Sequence, residues 1–122
     1  ACVVALGEFV AGLFTKDNKL SNEIFETGLK TSERVWPLPL WDDYNQLNKS
    51  EVADVKNSGG RWGGAISAAK FLENFVDKNI SWVHIDIAGP AMPHNFNNYT
   101  KNYMTGFGVR LLYEFLLNKS KN

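Results

Sequence analysis

The sequence predicts an α/β fold. Its 122 residues allow at most one domain. Two strand-like runs, 9–14 and 80–88, are separated by stretches with helical periodicity. The second run carries apolar bulk on both of its faces, as a strand does in a sheet covered on both sides. Between the runs a glycine-rich loop leads into an amphipathic helix. The order strand, helix, helix, loop-helix, strand, helix is that of α/β architecture.

Each element follows from its residues. "FVAGLF" (9–14) is a short apolar run suited to a buried strand, and the polar "TKDNK" loop follows it. Ser21 is the expected N-cap of a helix over 22–33. Leu20 before it and Phe25 in the first turn would form a hydrophobic staple. "VWPLPLW" (35–41) is excluded from a helix interior, because Pro37 and Pro39 lack amide donors and push Trp36 and Leu38 toward extended geometry. Residues 42–48 resume a helix carrying Tyr44 and Leu47, and another turn starts at Ser50. In "NSGGRWGGAISAAKFLENFVDK" (57–78), Ala65, Ala69, Leu72 and Val76 fall on one stripe. Lys70, Glu73, Asn74 and Asp77 fall on the opposite, solvent face. Along 80–88, Val83, Ile85 and Ile87 point one way, and Trp82, His84, Asp86 and Ala88 the other. A polar loop spans 92–105. The last helix, 108–118, is apolar nearly all round, with Arg110 and Glu114 one turn apart, which predicts a buried helix, covered in part by another chain.

Composition narrows the function. Apolar residues make up 44% and charged residues 21%, the balance of a folded globular chain. Thirteen basic residues offset thirteen acidic ones. That neutrality gives no electrostatic footprint for nucleic acid or for an anionic membrane. No apolar stretch approaches the roughly 20 residues that span a bilayer. Cys2 is the sole cysteine, so no internal disulfide forms, and a reducing compartment such as the cytoplasm fits. The apolar start "ACVVALGEFV", without methionine or basic lead-in, is expected of the interior of a longer protein.

Few residues offer chemistry. His84 and Asp86 emerge on one strand face about 7 Å apart, a spacing that suits a metal or acid–base pair. A buried, hydrogen-bonded pair supporting the loop at 88–91 is the stronger account, since no third ligand lies near in sequence. His94, beside Asn95, Asn97 and Asn98, reads as a solvated loop histidine. "GGRWGG" lacks the spacing and lysine of a phosphate loop. Arg61 could hold an anion there, but a tight loop with a surface arginine explains it as well. Gly106 and Gly108 in "MTGFG" serve turn geometry. Asp42 and Asp43 are first-turn acids favoured by a helix dipole. No nucleophile elbow and no H-E-x-x-H pair occurs. The residues by themselves describe a packed α/β piece without a self-sufficient active site.

The ordered segments "ACVVALGEFVAGLF", "RVWPLPLWDDY", "SEVADVKN", "GGRWGGAISAAKFLENFV", "WVHIDIAGPA" and "MTGFGVRLLYEFLL" together resemble the C-terminal part of the leucyl (cytosol) aminopeptidases, the M17 metallopeptidase family. The resemblance covers nearly the whole chain. It implies that residues 1–122 form the C-terminal portion of a mixed-sheet αβα catalytic domain of zinc-peptidase type. The family's Asn-Thr-Asp-Ala-Glu-Gly-Arg block is not in this chain. The resemblance therefore assigns no catalytic residue and no metal ligand here, and places the metal-binding segment and an N-terminal domain elsewhere.

It further implies that Ala88 and Ala91 line the pocket for the substrate's N-terminal side chain. Ala1 and Val3 would sit close to the substrate backbone, and Gly59 and Gly60 would approach the leaving-group side. Where the family can carry a larger residue, Ala91 is small. His84 and Asp86 would brace the strand end behind that wall. The implied enzyme is a cytoplasmic homohexamer acting on peptides with two divalent metal ions, zinc with manganese or magnesium able to enter one site. The upstream part of the same protein would complete it. A non-catalytic α/β assembly or binding module is the alternative, resting on the lack of a complete catalytic constellation.

Overall fold

The computed structural model describes residues 1–49, 62–93 and 104–121. The elements run α1 (Cys2–Leu6), β1 (Ala11–Phe14), α2 (Asn18–Thr31), β2 (Val35–Pro37), a 3-10 helix (Asp42–Asn48), α3 (Gly64–Glu73), β3 (His84–Asp86), α4 (Ala88–Ala91) and α5 (Val109–Ser120). The sheet is mixed, with β1 in the middle. β2 pairs parallel to it, Ala11 opposite Val35, and β3 antiparallel, Phe14 opposite His84.

β1 is buried throughout, and its two faces divide the core. Ala11 and Leu13 pack with Ile24, Val35 and Leu111, joined by Val83 and Ile85. Phe14 packs on the other side with Cys2, Leu40, Ala65 and Ala69, joined by Trp82. This is the alternation expected of a strand covered on both faces. Pro37 ends β2, an edge strand among the described residues, where its missing donor costs no ladder bond. β3 is shorter than the 80–88 run. The chain leaves the sheet after Asp86 and turns into α4, so Ile87 is exposed rather than in line with Val83 and Ile85.

α2 starts earlier than its sequence suggests. Asp17 is the cap, its Oδ1 accepting the Leu20 N–H at 3.0 Å. Ser21 lies inside the helix, and Leu20 packs in the core instead of forming a staple before the cap. Both Asp and Ser cap well. Asp17 wins a tie that tertiary contact breaks, because its second oxygen also takes the Ser81 hydroxyl.

Beyond α2, Glu33 is only 4% exposed. Its Oε2 accepts the N–H of Gly108 and of Leu111, both at 2.9 Å, and its Oε1 takes Arg110 Nε at 3.1 Å. The first amides of a helix have no partner within it, and their summed dipoles favour an anion. A carboxylate from the β2 side thus fastens α5. Arg110 pairs with Glu33 in place of a one-turn pair with Glu114. The helix is not buried all round: Leu111 is enclosed, whereas Val109, Leu112, Tyr113 and Leu116 are exposed.

α3 also departs from its sequence reading. Ala65 and Ala69 are buried as expected, but Leu72 is exposed and Lys70 is completely enclosed. Lys70 Nζ lies 3.0 Å from Asp42 Oδ1 and 2.8 Å from Glu73 Oε1. A buried charge persists when paired and hydrogen-bonded, and the long lysine stem adds apolar cover. The helix stops at Glu73, so Val76 and Asp77 lie in the turns after it. Residues 42–48 form a 3-10 helix, and Asp42 serves less as a dipole acid than as an acceptor for Lys70 and for Lys16, which reaches it at 2.6 Å. The further turn expected at Ser50 lies outside the described residues.

Two outcomes test these bonds. Glu33→Ala should lower unfolding free energy by about 2–4 kcal/mol in urea titration, since it strips a cap and strands buried amides, with Glu33→Gln milder. The hydrogen bonds from Lys16 and then Lys70 hold the Asp42 carboxyl down from 3.8 to about 2. A depressed carboxylate stabilises the fold above its unfolded pKa and loses that effect as pH falls through the folded one. Thermal melts should therefore show stability falling between pH 3.8 and about 2, with a shallower fall in Asp42→Asn.

Candidate functional site

The candidate residues gather where α1 meets α4. α1 is seated on β1 through Cys2, which is buried in the Phe14 cluster. Gly12 makes this possible: a Cβ there would lie 2.8 Å from Cys2 Sγ. α4 comes off the end of β3 and packs directly on α1. A Cβ at Gly89 would lie 2.3 Å from the Gly7 carbonyl oxygen, so only glycine permits this approach. Ala1 and Ala88 are exposed, Val3 is half-buried and Ala91 is buried. The start of α3 closes in from the side, since a Cβ on Gly64 would lie 2.8 Å from that of Ala1. Val3 on α1, with Ala1 as its cap residue, and Ala88 and Ala91 on α4 are thus on two elements in contact. Gly59, Gly60, Arg61 and His94 lie outside the described residues.

His84 and Asp86 stand behind α4. The His84 ring stacks on Phe14 with centroids 5.6 Å apart, and Trp82 lies 6.5 Å from it at an interplanar angle of 12°. Burial pushes the imidazole below its ordinary pKa, partly opposed by Asp86. Asp86 Oδ1 accepts the Ala88 N–H at 3.1 Å, the first amide of α4. Burial, and then the Asp86 charge, push the Cys2 thiol up. Cys2 is therefore a protonated packing group and not a thiolate nucleophile.

Two positions that the sequence did not single out tie this region together. Thr105 Oγ1 donates to the Pro90 carbonyl at 2.7 Å, and the Thr105 N–H donates to that of Ala91 at 3.0 Å. The same hydroxyl accepts the Phe107 N–H at 3.1 Å. Glu33 then holds the next residue, Gly108. The sequence signal for Thr105 was limited to its place before a turn glycine. Nothing local marks Glu33.

A groove of about 920 Å³ opens at the other end of β3, lined by Lys16, Asp42, Asn48, Glu73, Ser81 and Trp82 among others. It contains none of the candidate residues, and its Lys16, Asp42 and Glu73 belong to the ion-pair network around Lys70. Size alone does not make it the site. Among the described residues no group of three or more His, Cys, Asp or Glu side chains could hold a metal ion. No described helix is long and apolar enough to cross a membrane. The described part of the α1–α4 region offers small side chains and backbone.

Comparison with known proteins agrees with this architecture. The probable cytosol aminopeptidase of Chlorobaculum tepidum is 58% identical over 116 residues, which cover 95% of this chain and 23% of that protein. That of Aquifex aeolicus is 51% identical over 123 residues, covering all of this chain and 25% of the relative. Among solved structures, a tomato leucine aminopeptidase mutant superposes with a TM-score of 0.84 at 41% identity, over 95% of this chain and 22% of the other. The bottromycin maturation enzyme BotP in complex with Mn gives 0.86 at 36%, over 98% and 27%. The chain spans about a quarter of the length of the relatives it matches. Its residues 1–113 match the model of the cytosol aminopeptidase family, catalytic domain. With the mixed sheet and these relatives, that match establishes that the chain belongs to the cytosol aminopeptidase family.

Proposed function

We propose that this chain supplies a substrate-holding wall of a metal-dependent aminopeptidase that releases N-terminal amino acids from peptides. The observation that carries the reading is the packing of α1 on α4, which brings the small residues Ala1, Val3, Ala88 and Ala91 to one region. Ala88 and Ala91 receive the side chain of the substrate's first residue. Ala1 and Val3 lie along its backbone, and Gly59 and Gly60 approach the leaving group. Small side chains leave room for a leucine-sized group and exclude water once it is bound. One methylene more or less changes such a fit by about 1–3 kcal/mol, so a range of apolar residues is accepted.

Among the described residues no group of side chains forms a metal site. In the complete enzyme two divalent ions, zinc with manganese or magnesium able to enter one site, would be held by the upstream part of the protein and would supply carbonyl polarisation and water activation. His84 and Asp86 support the wall: the carboxylate fixes the first amide of α4 and the imidazole packs between aromatic rings. The complete protein is read as a cytoplasmic homohexamer, with residues 1–122 as the C-terminal part of its catalytic domain. The alternative of a non-catalytic assembly or binding module has weaker support, because the Chlorobaculum tepidum and Aquifex aeolicus relatives, both named probable cytosol aminopeptidases, match 95% and all of its length.

The complete protein, loaded with zinc or manganese, should hydrolyse leucine-para-nitroanilide, and residues 1–122 alone should not. A folded, metal-loaded complete protein without turnover would count against the reading. Within the active protein, Ala88→Leu should narrow the pocket. It should lower kcat/KM for the leucine substrate by about tenfold while sparing the alanine substrate.

A further inference from the structure

α4 is four residues long, too short to hold its own place. Three contacts fix it. Asp86 Oδ1 takes the N–H of Ala88 at its start. Gly89 rests against the Gly7 carbonyl, at a distance no other residue allows. Thr105 holds its end, taking hold of the Pro90 carbonyl through Oγ1 at 2.7 Å and of the Ala91 carbonyl through its amide at 3.0 Å. Thr105 is in turn fixed by the Phe107 N–H at 3.1 Å. One residue farther on, the Gly108 N–H is bound to the buried Glu33 carboxylate at 2.9 Å. A continuous hydrogen-bonded line therefore runs from the core, through the lead-in to α5, to the backbone of the residues that face the substrate.

Resting on the reading of α4 as a pocket wall, we propose that Thr105 is a positioning residue for side-chain selection, setting the depth of the pocket by holding the carbonyls of Pro90 and Ala91. The Asp86 and Gly89 contacts fix the start and middle of α4 relative to α1. Thr105 is the sole described side chain bonded to its C-terminal carbonyls. Without the hydroxyl the Pro90 carbonyl and the Phe107 amide both lose their partner, and the wall can retreat from the bound side chain. Valine matches threonine in shape, so Thr105→Val removes the hydroxyl's bonds to the Pro90 carbonyl and the Phe107 amide, leaves the backbone bond to Ala91, and changes packing little. Serine restores the hydroxyl.

The test uses the complete, metal-loaded protein and the para-nitroanilides of alanine, leucine and phenylalanine. Thr105→Val should shift the phenylalanine-to-leucine ratio of kcat/KM toward phenylalanine by about tenfold, the scale of a methylene-sized misfit. Thr105→Ser should return the ratio to within about twofold of the parent. Ile24→Val, a core change away from α4, should lower thermal stability and leave the ratio alone. If Thr105→Val lowers kcat/KM equally for all three substrates, or leaves the ratio unchanged, the positioning role is overturned. If Thr105→Val does not fold, Thr105→Ala replaces it, since it removes the same hydroxyl, and an unchanged ratio there overturns the proposal. Failure of the parent protein to cleave any of the substrates would instead overturn the aminopeptidase reading itself.

Discussion

The carboxylate of Glu33 sits where three parts of the molecule meet. It leaves the chain between α2 and β2, yet its oxygens are spent on the first turn of α5, 75 and 78 residues away. A buried carboxylate is costly unless its lone pairs are filled, and the open end of a helix offers amide donors that need an acceptor. Each resolves the other's deficit. The exposed Arg110 head adds a third, charge-assisted bond. Once α5 is fixed by this bond, Leu111 is brought into the core beside Ile24 and Val35, and the segment before α5 has a defined place from which Thr105 can reach α4.

The opposite face of the sheet uses a different device. There the helix that covers Phe14 presents alanines, which let α3 approach closely but contribute little apolar volume. Lys70 is itself fully enclosed and carries its charge to Asp42 and Glu73. The network also links α3 to the 3-10 helix and, through Lys16, to the end of β1. An ion pair of this kind specifies position more than it adds net stability, because desolvation offsets much of the attraction. Its effect is to fix the register between elements that share few large side chains.

Against this scaffold the α1–α4 region depends on closeness rather than on reactive groups. Gly12 and Gly89 remove the two Cβ atoms that would keep α1 from the sheet and α4 from α1. The titratable residues nearby are turned to support. Asp86 is bonded to a backbone amide, His84 is stacked between rings, and Cys2 is held as a thiol. Those assignments support the proposed reading of this region as a binding wall.

The sequence by itself determined the α/β class, a buried strand within 9–14, the extended proline segment and the burial of Ala65 and Ala69, because periodicity and proline act over a few residues. Its ordered blocks also pointed to the family, although small residues such as Ala88 and Ala91 carry no chemical signal of their own and became candidates through that resemblance alone. Tertiary structure decided the rest. Whether Asp17 or Ser21 caps α2, whether Lys70 faces solvent or core, and whether Arg110 pairs with Glu114 or Glu33 are choices between groups equally able to bond. Local pattern cannot rank them. The winner is the group whose partner, tens of residues away, has been carried within about 3 Å by the packing of the sheet and its helices.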